Sequence, residues 1–231
     1  MFPISDDNPT RIRPYVTYAL IAINIVVFLH EMSLAPPQLQ AFFHLYAVVP
    51  KELTASLNGI PVNQPVPEPL TLVTSQFLHG GFMHIAGNML FLWIFGNNVE
   101  DKLGHVKYII FYITCGILAA LAQWIFSVQS GIPSLGASGA IAGVMGAYIL
   151  RFPKARIRTL IFLGYFVTSW EIPAVFFLGF WFVQQAFNSF ASLAVQTDVG
   201  METGGIAYWA HAGGFVFGAI LGPLMGLLNS D

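Results

Sequence analysis

Residues 77–96 read FLHGGFMHIAGNMLFLWIFG, and this stretch decides the fold class of the chain. It contains no charged side chain, and its strongly polar residues are His79, His84 and Asn88. A helix needs about 20 mostly apolar residues to cross a bilayer. The stretch therefore predicts a membrane-crossing helix. Because polar groups are costly in hydrocarbon, the two histidines and the asparagine indicate a functional or packing role.

The composition of the whole chain is that of a membrane protein. Of its 231 residues, 56% are hydrophobic and 9% are charged, whereas a soluble domain carries about 25% charged residues. The net charge of −2 argues against a nucleic-acid partner, which requires a basic face. Cys115 is the only cysteine, so the chain can form neither an internal disulfide nor a cysteine-based metal cluster.

Six apolar runs follow one another along the chain, at residues 15–32, 82–98, 108–126, 137–150, 172–190 and 206–228. The fourth run has 14 residues and is only about 21 Å long as a helix, so its outer end should begin below the membrane surface. We predict an all-α polytopic membrane protein, a six-transmembrane-helix bundle with a long first outer loop. Residues 159–167 are too short to cross, and we expect them along the interface or inside the bundle.

The runs define one membrane domain with short ends. The predicted parts are a cytoplasmic tail at 1–14, the membrane domain at 15–228 with outer loop 1 at 33–81, and a C-terminal tail at 229–231. Outer loop 1 contains the apolar segment AFFHLYAVVP at 41–50, so we expect it to pack on the bilayer surface. The sequence shows no second soluble domain and no tandem repeat.

Basic residues predict the orientation, because they collect on the cytoplasmic side of membrane helices. With the N-terminus inside, the cytoplasmic basic residues are Arg11, Arg13, Lys102, Lys107, Arg151, Lys154, Arg156 and Arg158. Only Lys51 lies outside. Both termini are therefore predicted to be cytoplasmic.

The N-terminus differs from a signal or transit peptide, so we expect a cell membrane of bacterial or archaeal type. The sequence indicates no oligomeric state.

Four polar residues are predicted to meet at one depth. His84 and Asn88 are four residues apart and share a helix face. Ser138 lies in the first turn of the fourth run, and His211 lies about one turn inside the sixth. The second, fourth and sixth runs all begin on the outer side in this orientation. The four side chains therefore fall in the outer part of the membrane.

This set of side chains fits serine hydrolase chemistry. A serine hydroxyl becomes a nucleophile when a base takes its proton, and His211 is the candidate base for Ser138. No Asp or Glu lies at the same depth in any run, so we predict a dyad and not a triad. The backbone N–H of Ser138 at a helix N-terminus, the Asn88 amide and the His84 ring are candidate donors to an oxyanion.

Each feature also has a purely structural interpretation. A GxxxG step is more often a helix-packing motif than a catalytic one, and a lone membrane histidine is more often a hydrogen-bonded core residue. The small residues that would let the fourth and sixth helices approach are Gly139, Gly143, Gly214 and Gly218. We expect this packing to bring His211 against Ser138. The convergence of four polar groups favours the functional interpretation.

The fifth run is a candidate lateral gate for a substrate that arrives from the lipid. Its bulky residues are Phe176, Phe177, Phe180, Trp181, Phe182 and Phe187, and its small ones are Gly179 and Ala186. Bulky side chains prevent tight helix packing. We therefore predict that this helix tilts away to admit substrate, and that cross-linking it to the second helix blocks cleavage.

The chain resembles the rhomboid family of intramembrane serine proteases over nearly its whole length. The matching motifs are HGGFMHIAGN at 79–88, GASG at 136–139 and AHAGGFVFG at 210–218, and they lie on the second, fourth and sixth of six helices. The three motifs together are specific to this family.

The resemblance implies a dyad of Ser138 and His211, with His84, Asn88 and the Ser138 backbone N–H binding the oxyanion. The supporting residues are Gly136, Gly139, Gly214, Gly218 and His79. It implies no metal and no cofactor. It implies that the partners are the lipid bilayer and transmembrane protein substrates, cut in or near the membrane at small residues beside helix-destabilising sequence.

Two positions depart from the family pattern. Some relatives carry an aromatic residue one turn after the serine, where it packs under the histidine, and this chain has Ala142 there. Gly87, before Asn88, is also smaller than in some relatives. These departures bear on how firmly His211 is held and on which substrate side chains fit.

Two other functions are open to the same sequence. A noncatalytic rhomboid-like protein that binds or chaperones transmembrane helices would share the fold and the gate, but it does not need the four polar residues together. A metal-dependent enzyme or transporter would use His79, His84 and His211. Such sites usually recruit carboxylates or closely spaced histidines such as HExxH, and the sequence contains no such motif.

Overall fold

Helices dominate the protein, as predicted. The computed structural model describes residues 2–62, 64–164, 166–194 and 207–229. The helices are α1 (Tyr15–Ser33), α2 (Pro36–Tyr46), α3 (Pro50–Leu57), α4 (Glu68–Thr74), α5 (Phe82–Phe91), α6 (Asn97–Leu103), α7 (His105–Ile125), α8 (Ser138–Arg151), α9 (Ala174–Ala194) and α10 (Tyr208–Leu224). A 3₁₀ turn at Ser75–Phe77 follows α4, and a π-helical turn at Leu92–Gly96 joins α5 to α6.

Three of the described helices are long and apolar enough to cross a bilayer, namely Tyr15–Ser33, His105–Ile125 and Ala174–Ser192. A fourth is obtained if the segments Glu68–Phe77 and Phe82–Leu103, which are bent by 82° to each other, form one span. Helices α8 and α10 have 14 and 17 residues and fall short of that length. The count of six crossings therefore stays a prediction.

Helix α8 lies at the centre of the molecule. All residues from Gly139 to Tyr148 are buried, although a helix at a protein surface buries only one stripe. α7 and α10 enclose it on two sides through small residues. An added Cβ on Gly214 would collide with the Gly139 carbonyl, and one on Gly218 would collide with the Gly143 carbonyl. Close backbone contact of this kind is typical of helix pairs in membranes.

The prediction of an all-α fold misses a small antiparallel sheet. Its strands are β1 (Phe2–Asp6), β2 (Arg156–Leu163) and β3 (Phe166–Pro173), in the order β1-β2-β3. Of residues 159–167, which we expected along the interface or inside the bundle, 159–163 lie in β2 and 166–167 lie in β3, and their position relative to the membrane stays a prediction. β-Branched and aromatic residues favour strands, and Gly164, at a φ of +63°, supplies the turn between β2 and β3.

Outer loop 1 is a folded segment that contains α2, α3, α4 and the 3₁₀ turn. Val48 and Ser134 exchange two backbone hydrogen bonds, of 3.0 and 2.7 Å, and so join this segment to the chain before α8. The Trp124 indole donates to Thr54 Oγ1 at 2.9 Å. Next to the start of α8, the Gly136 N–H donates to the Ser75 carbonyl at 2.8 Å. These bonds fix the position at which α8 begins.

Candidate active site

Ser138 is the first residue of α8, and the turn before it depends on Gly136. Gly136 has a φ of +126°, a conformation that side-chain-bearing residues rarely adopt. An added Cβ there would lie 2.8 Å from both Cε1 and Nε2 of His84, and 3.7 Å from Ser138 Oγ. Gly136 therefore allows the chain to turn and leaves space for the His84 ring beside the serine.

His211, on the first turn of α10, contacts the serine directly. Its Nε2 lies 2.7 Å from Ser138 Oγ. The two helices approach this closely because glycines face each other one turn further in, as described for Gly214 and Gly139. The serine and histidine side chains are both partly exposed. The arrangement can move a proton from the hydroxyl to the imidazole without any change of backbone position.

Two residues of α9 hold the other side of the imidazole. His211 Nδ1 lies 2.9 Å from Oε1 of Gln185. The Trp181 ring lies 5.8 Å from the His211 ring, at an interplanar angle of 34°. Ala142, where some rhomboids have an aromatic residue, is fully buried. In this protein an aromatic side chain of α9 therefore contacts the histidine ring.

His84 is placed to donate a hydrogen bond next to Ser138. The backbone N–H of Gly80 donates to His84 Nδ1 at 3.4 Å. Because Nδ1 accepts, the ring proton of a neutral His84 belongs on Nε2. This nitrogen is the atom that borders Gly136. The geometry is that expected of a donor to an oxyanion, a role that stays a prediction.

Asn88 and His79 form a pair that was not predicted. Asn88 Nδ2 lies 2.9 Å from His79 Nε2, so this contact engages one of the two amide N–H groups of Asn88. The His79 backbone N–H in turn lies 3.2 Å from Oε1 of Glu31. His79 therefore supports the position of Asn88, and it lies edge-on to His84 at 5.1 Å.

A cavity of about 30 Å³ borders Ser138. Gln76, Gly116 and Gly136 are among the residues that line it. This volume corresponds to about one water molecule.

Within the described part of the chain no group of three His, Cys, Asp or Glu side chains is arranged to hold a metal ion.

Sequence reasoning missed Gln185 and treated Trp181 only as a gate residue. A signal was present, because Gln184 and Gln185 are polar residues within an apolar run, where they are costly. Trp181 and Gln185 are also four residues apart and therefore share a helix face. A dyad was predicted because the runs lack a carboxylate at this depth, but an amide oxygen can accept the same hydrogen bond from an imidazole.

The comparisons with known proteins agree with the motifs. A family model described as Rhomboid domain matches residues 67–227, more than half of the chain. Rhomboid protein 1, mitochondrial, of Saccharomyces cerevisiae is 27% identical over 212 residues, which cover 90% of this chain and 52% of that protein. Rhomboid protease GluP of Bacillus subtilis is 34% identical over 152 residues, which cover 64% of this chain and 27% of that protein.

A third relative is the Presenilin-associated rhomboid-like protein, mitochondrial, of Homo sapiens. It is 29% identical over 167 residues, which cover 68% of this chain and 38% of that protein. This chain therefore spans about half the length of these relatives, or less.

Proposed function

Because the chain belongs to the rhomboid family, we propose that it is an intramembrane serine endopeptidase with Ser138 as nucleophile and His211 as general base. The observation that carries the proposal is the 2.7 Å contact between Ser138 Oγ and His211 Nε2. One relative is named a protease, which agrees with this activity. The proposed substrates are single-span membrane proteins that reach the site from the lipid.

The proposed reaction has two stages. Ser138 Oγ bonds to the carbonyl carbon of the substrate while His211 Nε2 takes the hydroxyl proton. The C–N bond then breaks, and His211 gives this proton to the leaving amine, which leaves an ester on Ser138. In the second stage a water oxygen bonds to the ester carbon while His211 Nε2 takes a proton from that water. The ester C–O bond then breaks, His211 returns the proton to Ser138 Oγ, and the carboxylic acid product leaves.

In both stages negative charge develops on the carbonyl oxygen of the substrate. The proposed donors to this oxygen are the Ser138 backbone N–H, the His84 Nε2–H and the second N–H of the Asn88 amide. Loss of one donor of this kind costs about 10²–10³ in rate. The N-terminus of α8 adds a favourable dipole at the same place.

We also propose six crossings with both termini on the basic, cytoplasmic side of a cell membrane. Two contacts support this topology. β1 pairs with β2, so the N-terminal tail and the segment after α8 lie on the same side. Asp101 Oδ1 accepts from the Arg11 backbone N–H, which supports the α6–α7 connection on that side too. Labelling of single introduced cysteines in intact cells tests the topology, and outside labelling at the tail would contradict it.

Cleavage of a reconstituted single-span substrate tests the proposed activity. We expect cleavage by the unaltered protein, near-total loss for Ser138→Ala and His211→Ala, and partial loss for Asn88→Ala. Ser127→Ala and His30→Ala are matched controls, because these side chains lie outside the site. Substrate binding without cleavage by the unaltered protein would support the noncatalytic alternative. Undiminished cleavage by Ser138→Ala would contradict the assignment of the nucleophile.

A further inference from the structure

The imidazole of His211 is held at both nitrogens. Nε2 faces Ser138 at 2.7 Å, and Nδ1 faces the side-chain oxygen of Gln185 at 2.9 Å. Gln185 is 8% exposed and lies in the middle of α9, within a candidate membrane span. A buried amide in a membrane helix needs a hydrogen-bond partner. The partner that the structure gives to its oxygen is His211.

This contact determines which nitrogen of His211 carries the proton. A neutral imidazole has one N–H donor and one acceptor nitrogen. An amide oxygen only accepts, so Nδ1 must carry the hydrogen toward Gln185. Nε2 is then left with its lone pair directed at the hydroxyl of Ser138, which is the form that a general base requires. The opposite tautomer would place the N–H on Nε2. The lone pair of Nδ1 would then face the Gln185 oxygen, and two acceptors cannot form a hydrogen bond.

An amide suits this position better than a carboxylate does. An ionised side chain inside a membrane bundle carries a large desolvation cost. An amide oxygen accepts the same hydrogen bond without a net charge. The described part of the chain has no Asp or Glu bonded to His211. The histidine is thus oriented without an ionised partner in the bundle.

The rest of α9 restrains both groups. Ser189 Oγ donates to the Gln185 carbonyl at 2.8 Å, one turn further along the helix. Trp181, one turn before Gln185, packs on the His211 ring and lies 6.2 Å from the Phe215 ring. Two consecutive turns of α9 therefore contact the imidazole, one through a hydrogen bond and one through an aromatic face.

We propose that Gln185 is a positioning residue that holds His211 in the Nδ1–H tautomer and so extends the Ser138–His211 pair to a hydrogen-bonded chain of three side chains. As a statement about catalysis, this inference rests on the proposed protease function. The tautomer itself is a property of the protein without substrate. It can therefore be tested separately from the activity.

The first test is the ¹⁵N NMR spectrum of histidine-labelled protein in micelles, with His211 assigned by its loss in His211→Ala. We expect the Nδ1–H tautomer in the unaltered protein. Gln185→Met, which keeps the length of the side chain but removes the acceptor, should give a mixture of tautomers. Gln185→Glu should keep the Nδ1–H form, because it retains an oxygen at the same reach. Gln184→Met, at an exposed neighbour, should leave the spectrum unchanged.

The second test is the steady-state cleavage of the single-span substrate. Residues that orient a metal-bound imidazole through its second nitrogen typically contribute about 10- to 100-fold, and we take the same factor for His211. We expect Gln185→Met to lower kcat by this factor with little change in KM, and Gln185→Glu to recover part of it. Gln184→Met should match the unaltered protein.

The two tests separate the two proposals. If Ser138 is needed for cleavage but Gln185→Met alters neither the tautomer nor kcat, the positioning role is wrong and the protease function stands. If the unaltered protein cleaves nothing but Gln185→Met shifts the tautomer, the contact is as proposed and the protease function is wrong. The thermal midpoint of Gln185→Met shows whether this variant is folded.

Discussion

Gly136 lies two residues before Ser138, has a φ of +126° and borders the His84 ring. We expect Gly136→Ala to lower the cleavage rate by at least about tenfold, since displacement of one oxyanion donor costs about 10²–10³. It should also lower stability by about 1–3 kcal/mol, because alanine is strained at this φ. The cleavage rate and the thermal midpoint are the measurements.

Gly59→Ala is the matched control for this substitution. Gly59 also has a positive φ, of 72°, but an added Cβ there would meet no atom within 4 Å. It should therefore share the loss of stability and keep the activity. Equal loss of activity in both variants would show that backbone strain, and not the contact with His84, causes the effect.

Asp6, in β1 outside the membrane, gives the protein a pH-dependent contact. Burial raises its pKa from 3.8 to about 6, although Tyr148 Oη donates to its carboxylate at 2.6 Å. The folded protein thus binds this proton more tightly than the unfolded chain does. The free energy of unfolding should therefore fall as the pH rises from about 4 to about 6.

Thermal midpoints across this pH range measure the effect. The decrease should be smaller in Asp6→Asn, which has no carboxyl to titrate. Glu171→Gln, which removes an exposed carboxylate of β3, should behave like the unaltered protein. If Asp6→Asn follows the same pH curve as the unaltered protein, Asp6 is not the group responsible.

At the scale of single residues, the sequence predicts which side chains meet when they are polar residues within apolar runs. Ser138, His84 and His211 were predicted in this way, because a polar side chain in an apolar run carries a free-energy cost in the membrane. The bond between Asn88 and His79 was not predictable, because it depends on how the chain turns before α5. Gln185 was predictable in principle, but an amide was not considered as the partner of a histidine.

The contact between α8 and α10 is the element on which the site depends. An added methyl group on Gly214 would collide with the Gly139 carbonyl and lie 3.3 Å from Ala119 Cβ. We expect Gly214→Ala to cost about 1–3 kcal/mol of stability through overpacking, and to lower activity by moving His211 from Ser138. Cleavage rate and thermal midpoint in the same detergent measure both effects.

Gly179→Ala, on α9, is the control for this helix contact, because an added Cβ there meets no atom within 4 Å. It should leave the stability unchanged or slightly raised. A Gly214→Ala protein with normal stability and normal activity would show that α8 and α10 can separate without harm, which would contradict the role given to their glycines.

Helix α9 is both the proposed lateral gate and the helix that contacts the His211 ring. It presents exposed aromatic side chains such as Phe176, Phe180 and Phe187 to the lipid, and it holds His211 through Gln185 and Trp181. If it is the lateral gate, a cross-link between cysteines introduced into α5 and α9 should block cleavage of a membrane-anchored substrate. Cys115, the only native cysteine, is buried and should not interfere.

A soluble peptide with the same cleavage sequence is the control for the cross-link. It does not have to enter from the lipid, so it should be cut more readily than the membrane-anchored form by the cross-linked protein. Equal and undiminished cleavage of both substrates would contradict the gate. Loss of cleavage of both substrates would instead indicate that the cross-link disturbs His211.

At the scale of elements, five of the six apolar runs match single helices to within four residues at each end, because apolar runs end where polar or glycine-rich sequence begins. The second run, expected at 82–98, instead covers α5, the π-helical turn and the start of α6. Helix α8, for example, was expected at 137–150 and is found at Ser138–Arg151. The sheet was not expected. Strand β2 is stabilised by pairing with β1, more than 140 residues away along the chain, and local sequence contains no signal for such a partner.

The whole molecule is a mostly helical membrane protein. At each end of α8, contacts between segments distant in sequence hold the chain together. The sheet joins the N-terminal tail to the segment after α8, and the bridge between Val48 and Ser134 joins outer loop 1 to the chain before α8. α8 lies between these two sets of contacts, with its N-terminus at the side of outer loop 1. This arrangement fixes the position of Ser138 within the bundle, and its depth below the membrane surface stays a prediction.

Covalent labelling of the reconstituted protein with a fluorophosphonate, followed by mass spectrometry of the labelled peptide, decides whether Ser138 and His211 form a catalytic dyad. We expect one adduct, on Ser138, which is lost in Ser138→Ala and nearly lost in His211→Ala. The control His30→Ala should be labelled at the normal rate. An adduct on another serine, or labelling of Ser138 at the normal rate without His211, would contradict the account.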